Sequence, residues 1–255
     1  MSEDKSKELF SHQPEIYDAI VDWQKRLGKE GPFYQQVFEK VGVRKVLDTA
    51  CGTGRHALMF QSWGMEVEAA DSSEAMIDYA RRQHGESASL KWVVRPFDQP
   101  VDRPGEFDAV ICSGNSLPLA RDKKTIQRAV CCMLEALRSG GVCIIHLFNL
   151  WHLEEGPTTW QKCLRGRWGD VEQVLLKGIH RCGDHGYVNF IRLAVDGDRL
   201  ESAFEPSVLV ALKADELSGW VRQAGAKSVD LYGDYSRNSY DPLNSNDMIL
   251  VCWKK

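Results

Sequence analysis

One stretch, Val46-Leu47-Asp48-Thr49-Ala50-Cys51-Gly52-Thr53-Gly54, constrains the fold of this chain more than any other. A short buried-type run, Lys45 to Leu47, meets two glycines and then a helical pattern, Arg55-His56-Ala57-Leu58-Met59-Phe60, so a strand turns sharply into a helix. In such a unit the glycines let the backbone approach a ligand, and the amides at the helix start favour polar or anionic ligand groups. Asp71 closes the next strand pattern, Met65 to Ala70, at the distance where an acid can accept both hydroxyls of a ribose.

Two cofactor classes use loops of this kind. Gly52-Thr53-Gly54-Arg55-His56-Ala57 satisfies the dinucleotide pattern, with Asp71 as the acid about twenty residues on. A carboxylate at Asp48, four residues before the first glycine, would repel a pyrophosphate. S-adenosylmethionine has a ribose and an adenine, and its ammonium and sulfonium are attracted by acids. Asp48 could also do no more than cap the glycine loop, which suits either cofactor.

The remaining pattern reads as an α/β fold. Residues 14 to 42 are helical, with a break expected at Gly28 to Pro32, and form an N-terminal helical cover (1–42). Residues 43–255 form the main domain. Strand and helix patterns alternate from 43 to 147 and give five strands, parallel because each connection is a helical crossover. From about 160 to 213 the pattern changes to strand runs, Val171 to Arg181, Tyr187 to Val195 and Val208 to Leu212, which predicts a small antiparallel lid insertion. A helix, Ala214 to Ala224, and strands Lys227 to Tyr232 and Met248 to Trp253 then complete a Rossmann-like, seven-stranded, mostly parallel sheet with helices on both faces.

Composition narrows the function classes. With 255 residues and 43% hydrophobic content, the chain can bury one large core. A net charge of -4 without a basic, aromatic-interleaved block gives no nucleic-acid groove. No apolar run approaches membrane-spanning length and the first residues are polar, so a cytoplasmic protein with no membrane partner is expected. Eight cysteines, several within predicted strands and helices, suit reduced core thiols.

Asp48-x-Ala50-Cys51-Gly52-x-Gly54 with Asp71 resembles the signature of the class I S-adenosylmethionine-dependent methyltransferases. Later segments match in order. Phe97-Asp98 follows the third strand, where the resemblance implies a pair that flanks adenine and bonds its amino group. Phe107 to Cys112 looks like the fourth strand, with Ser113-Gly114-Asn115-Ser116 beside the transferable methyl. Leu137 to Val142 resembles the helix-end glycine turn before the fifth strand. The implied cofactor is S-adenosylmethionine, held by Asp48, Ala50, Gly52, Gly54, Asp71, Ser72, Met76, Phe97, Asp98 and Ser113.

The N-terminal segment, Tyr17 and then Asp22-Trp23-Gln24-Lys25-Arg26, is similar to the glycine and sarcosine N-methyltransferases and their small-molecule relatives. That resemblance places Tyr17 and Trp23 beside the methionine part and Arg26 on its carboxylate. A tyrosine near a sulfonium gains roughly 0.5 to 2 kcal/mol, and an arginine fork suits a carboxylate. Asn115 and Asn149 are then the acceptor-side residues. After the fifth strand this chain reads His146-Leu147-Phe148-Asn149-Leu150-Trp151, where those enzymes carry an acid, an arginine, an asparagine and a tyrosine. The arginine that would clamp an amino-acid carboxylate has no clear position, with Arg165, Arg167, Arg192 and Arg237 as possibilities.

The expected activity is methyl transfer to a small-molecule acceptor, on nitrogen before oxygen or sulfur. The alternative is a noncatalytic S-adenosylmethionine-binding sensor or partner subunit. A homo-oligomer is open. Transfer needs alignment and water exclusion more than a strong base, and His146, His152 and Asp234 are the candidates should a base be needed. His180-x-Cys182-x-x-His185 has metal-ligand types but lacks paired ligands at both ends, so no metal is expected.

Overall fold

The computed structural model describes residues 14–168, 171–196 and 199–255. Residues 1–13, part of the expected N-terminal cover, lie outside the described residues. Helices α1 (Pro14–Ile20) and α2 (Trp23–Val41) come first. Then β1 (Lys45–Asp48), α3 (Arg55–Ser62), β2 (Glu66–Asp71), α4 (Glu74–His84), β3 (Leu90–Val94), β4 (Phe107–Cys112), α5 (Lys123–Ala136) and β5 (Leu137–Phe148) follow. A four-stranded unit comes next, β6 (Thr159–Trp168), β7 (Val171–Cys182), β8 (His185–Asp196) and β9 (Arg199–Val210). The described chain closes with α6 (Ala214–Gln223), β10 (Ala226–Tyr232) and β11 (Asp247–Lys254).

The large sheet has the order β10-β11-β5-β4-β1-β2-β3. Strands β1 to β5 are parallel, and β11 runs antiparallel between β5 and β10. Both faces are buried, one under α5 and α6 around Val110, Ile145 and Leu250, the other under α2, α3 and α4 around Val46, Ala69 and Ile111. Burial on both faces is why the central strands read as apolar runs without alternation. The expected seven-stranded, mostly parallel architecture is what the chain forms. Among the described residues, no helix is long and apolar enough to cross a membrane.

Three local expectations need correction. The break placed at Gly28 to Pro32 falls inside α2, which runs unbroken from Trp23 to Val41. Glycine and proline cost about 1 and 3 kcal/mol in a helix interior. Against this, Phe33, Tyr34, Val37 and Phe38 are all buried, each stabilising by roughly 1.5 to 3 kcal/mol. The chain breaks earlier, at Val21 and Asp22, and Asp22 caps α2 by accepting from Lys25 N at 3.0 Å.

The insertion has four strands where three were expected. Both edges were underestimated: β6 is absent from the three runs and β9 is longer than Val208 to Leu212. Edge strands carry charge and proline, as in Trp160-Gln161-Lys162 and at Pro206, and so lack the alternation of a half-buried strand. The glycine turn before the fifth strand is a four-residue bulge, Arg138 to Gly141, inside β5. Phe107 pairs with Leu137 and Ala109 with Val142, so the extra residues loop out. A side chain on Gly141 would come within 3.0 Å of the Arg138 and Asp108 carbonyls.

Candidate functional site

The carboxyl ends of β1, β2, β4 and β5 converge beneath α1 and the first turns of α2. Asp48 ends β1 fully buried. Its Oδ1 accepts from Ala50 N at 3.4 Å, while Oδ2 is buried without a hydrogen-bond partner among the described residues. Burial, with the nearby Asp71 charge, pushes the Asp48 carboxyl up to about 7, although the Ala50 amide and Arg26 oppose this. An orphaned carboxylate oxygen in this position fits a cationic donor on a ligand.

Asp71 ends β2 and ties the loop together. Its Oδ2 accepts from Gly52 N at 2.9 Å and its Oδ1 from Ser73 N at 2.9 Å. Burial raises the Asp71 carboxyl despite these amides. Ser73 caps α4, accepting from Met76 N at 3.2 Å; Met76 is buried and Ser72 is exposed. Gly52 has φ +53 and a side chain there would approach the Tyr17 ring at 3.8 Å, so α1 lies against the loop. Gly54 serves packing. At φ +85 its missing side chain leaves room for Trp92, whose ring would lie 2.4 Å from a Cβ.

A latch invisible to sequence periodicity holds α1 in place. Asp18 accepts from Thr53 Oγ1 at 2.8 Å and from both Nε and a terminal nitrogen of Arg55. Behind it, Tyr17 and Trp23 meet edge to face with centroids 6.0 Å apart, and the Arg26 guanidinium lies 5.1 Å over Trp23. Arg26 also donates to the Tyr17 hydroxyl. Its terminal nitrogens sit 3.4 and 4.0 Å from where a Gly114 Cβ would stand, at the end of β4. The three N-terminal residues singled out by resemblance are therefore brought together beside the glycine loop.

Glu30 positions Arg26, and sequence reasoning missed it although the i, i+4 spacing was visible. Arg26 Nε donates to Glu30 Oε1 at 2.8 Å, and His56 Nε2 bonds Glu30 Oε2 at 2.6 Å. Burial works against charge on Glu30, but the bonds and charges of His56 and Arg26 outweigh it and hold the carboxyl at about 2. Burial pulls His56 below its ordinary value, against the bond and charge of Glu30.

On the far side, Ser113 is buried and its carbonyl accepts from Ser116 Oγ at 2.9 Å. Asn115 adopts φ +65, and its Oδ1 accepts from Phe148 N at 2.9 Å, clipping the end of β4 to β5. Its Nδ2 has no hydrogen-bond partner among the described residues. Asn149 is 2% exposed and fully engaged. Its Nδ2 donates to the Pro242 and Ser245 carbonyls at 3.0 and 2.8 Å, and its Oδ1 accepts from Trp151 N and Tyr240 Oη at 3.2 Å. Ala50 and Phe97 pack against the α5 side of the sheet core, and Phe97 lines a small hollow with Leu47, Thr49, Ala70 and Met133. Asp98 is half-buried beside it.

One ring nitrogen of each candidate histidine is engaged, while the buried Nδ1 of His146 has no hydrogen-bond partner among the described residues. His146 Nε2 lies 3.2 Å from Asp247 Oδ1, and His152 Nδ1 lies 2.5 Å from the Asn149 carbonyl. Asp234 accepts from Ser236 N at 2.8 Å and Asn238 Nδ2 at 2.7 Å within a turn. His180 stacks on Tyr187 at 5.0 Å and bonds Asn189.

A seven-stranded sheet of this order, with a glycine loop and paired acids at its carboxyl edge, defines the Rossmann-like methyltransferase architecture. A family model described as a methyltransferase domain matches residues 46–141. The chain is an S-adenosylmethionine-dependent methyltransferase, and S-adenosylmethionine is its cofactor. It is 28% identical to the glycine/sarcosine N-methyltransferase of Parasynechococcus marenigrum, over 89% of this chain and 78% of that one. To the glycine N-methyltransferase of Oryctolagus cuniculus it is 34% identical, over 52% and 50%. The fold also matches the sugar N-methyltransferase KedS8 from Streptoalloteichus, with a TM-score of 0.78 at 20% identity, covering 100% of this chain and 96% of that one.

Proposed function

We infer that the protein methylates a nitrogen atom of a small molecule held between the glycine loop and the inward face of the antiparallel sheet. The observation that carries this reading is the pair Asp48 and Asp71 at neighbouring strand ends. A fully buried acid with an oxygen lacking a partner among the described residues, beside a part-buried one, suits a cofactor that brings an ammonium and a ribose. The similarity to glycine/sarcosine N-methyltransferases along most of the chain supports nitrogen as the methylated atom.

Asp71 would accept the ribose hydroxyls through the lone pairs its loop amides leave free, with Gly52 allowing close approach. Asp48 would take the ammonium, and Arg26, aimed by Glu30, the carboxylate. Tyr17 and Trp23 would border the methionine part, Phe97 and Asp98 the adenine, and Ala50, Ser72, Met76 and Ser113 the walls. Gly54 enters indirectly, through the loop shape. The cofactor supplies a methyl group already activated by the sulfonium. The chain's own task is to align the acceptor, exclude water and leave its lone pair unprotonated. Asn115 Nδ2 is the acceptor-side donor we favour, while Asn149 holds the wall behind it. The helices before residue 42 act as the cover and the 159–210 sheet as the lid.

Methyl-labelled S-adenosylmethionine offered with a panel of primary and secondary amines, alcohols and thiols tests this. Label on nitrogen is expected. Label found on oxygen or sulfur alone would overturn the reading.

A further inference from the structure

The antiparallel sheet turns one face toward the rest of the chain. On β7 the inward residues are Gln173, Leu175, Lys177 and Ile179. Leu175 packs with Phe190 on Ile20 at the end of α1. Ile179 packs with Leu150, Leu153 and Leu209 where the chain leaves β5. Lys177 lies between these two anchor points, about 7 Å along the strand from each. It therefore sits over the span between α1 and the β5 exit, the span into which Arg26 also projects.

A lysine here needs a reason. Its cross-strand neighbours are Lys162 and Phe190, so it faces another cation and a ring. Lys162 is engaged, donating to the Ile20 carbonyl at 2.5 Å and feeling the Asp22 charge. Arg26 is paired with Glu30. Lys177 has no hydrogen bond or ion pair among the described residues. Burial, reinforced by the Lys162 and Arg26 charges, pushes its ammonium down to about 8, which still leaves it charged at neutral pH. A part-buried, unpaired ammonium beside two cations is costly unless an anion arrives.

Arg165 and Arg167 lie on the outward face, where Arg165 pairs with Glu172. Arg237 sits over Phe33. Arg192 shares the inward face but stands beside Leu175, at the α1 end. We propose that Lys177 is a specificity-determining residue that receives a carboxylate on the acceptor, so that the enzyme acts on small anionic, carboxylate-bearing molecules. The proposal rests on the methyltransferase reading above. A carboxylate could also come from the cofactor, but the free end of the Arg26 fork is already placed for that one.

The test uses the intact protein saturated with S-adenosylhomocysteine. Acetate, propionate, glycine and benzoate are titrated against their primary amides, which keep the shape and lose the charge. At least one carboxylate is expected to bind tenfold or more tighter than its amide. In Lys177→Met that preference should vanish, in Lys177→Arg it should persist, and in Arg192→Met it should change less than threefold. S-adenosylhomocysteine affinity and melting temperature, which report a folded cofactor site, should stay within twofold and a few degrees of wild type. Equal or absent binding of carboxylates and amides overturns the proposal, as does a preference that survives Lys177→Met. A loss of S-adenosylhomocysteine affinity in Lys177→Met with the preference intact would give the lysine to the cofactor and reject it. Wild type that fails to bind S-adenosylhomocysteine would instead refute the underlying cofactor reading, and this proposal with it.

Discussion

Glu30 accepts from Arg26 Nε at 2.8 Å across one turn of α2, and that bond holds the guanidinium above Gly114. Glu30→Gln should weaken S-adenosylmethionine binding by about tenfold, the cost of roughly one charge-assisted bond. It should also change the acid limb of stability. A carboxyl held low in the fold contributes stability above its ordinary range, and that contribution is lost as pH falls from about 4.5 toward 2. The sum is on the order of 3 kcal/mol. Urea unfolding between pH 3 and 6 should therefore be flatter in the variant. An unchanged slope would remove Glu30 from this role.

Asp48 behaves in the opposite sense. Its carboxyl is raised to about 7 by burial, so it adds stability at low pH that is lost as pH climbs toward 7. Asp48→Asn should match wild type in melting temperature near pH 4 and exceed it at pH 8, by on the order of 4 kcal/mol at most. Cofactor affinity should move the other way and fall in the variant. In wild type, affinity should strengthen as pH rises toward 7, because the bound ammonium favours the ionised acid. Calorimetric titrations at pH 5.5, 6.5 and 7.5 read this directly, and a flat profile would count against an ammonium at Asp48.

The Asp18 latch should act on binding kinetics. Asp18→Ala frees α1 from Thr53 and Arg55 while leaving the large core untouched. The expected outcome is a cofactor dissociation rate raised about tenfold with little change in global stability. Stopped-flow displacement would measure it. A wild-type rate in the variant would show that α1 does not cover the site.

The two asparagines should separate structure from acceptor binding. Asn149→Ala removes four hydrogen bonds made by a buried side chain and should cost about 2 to 4 kcal/mol in denaturant unfolding. Asn115→Gly keeps the positive φ and loses only the Phe148 bond, so it should cost about 1 kcal/mol. Its larger effect should be on kcat for methyl transfer, with S-adenosylmethionine affinity retained. Equal losses of stability would mean that both merely hold the wall.

The Rossmann-like sheet, the strand-to-helix loop at Val46 to Gly54 and the paired acids Asp48 and Asp71 were legible in the order of residues alone. These are local features, in which apolar period, glycine conformation and spacing along one crossover carry the information. The rest depended on contacts between segments far apart in the chain. Burial of Phe33, Tyr34 and Phe38 overrode the Gly28 to Pro32 break, because contacts distant in sequence supply more free energy than helix propensity withholds. Asn149 looked like an acceptor residue, yet its four bonds reach Trp151, Tyr240, Pro242 and Ser245, and no spacing rule reveals such partners. Asp18, Glu30 and Lys177 gained their significance in the same way. A charged side chain is defined by what it meets, and those encounters exist only once distant segments have been folded against one another.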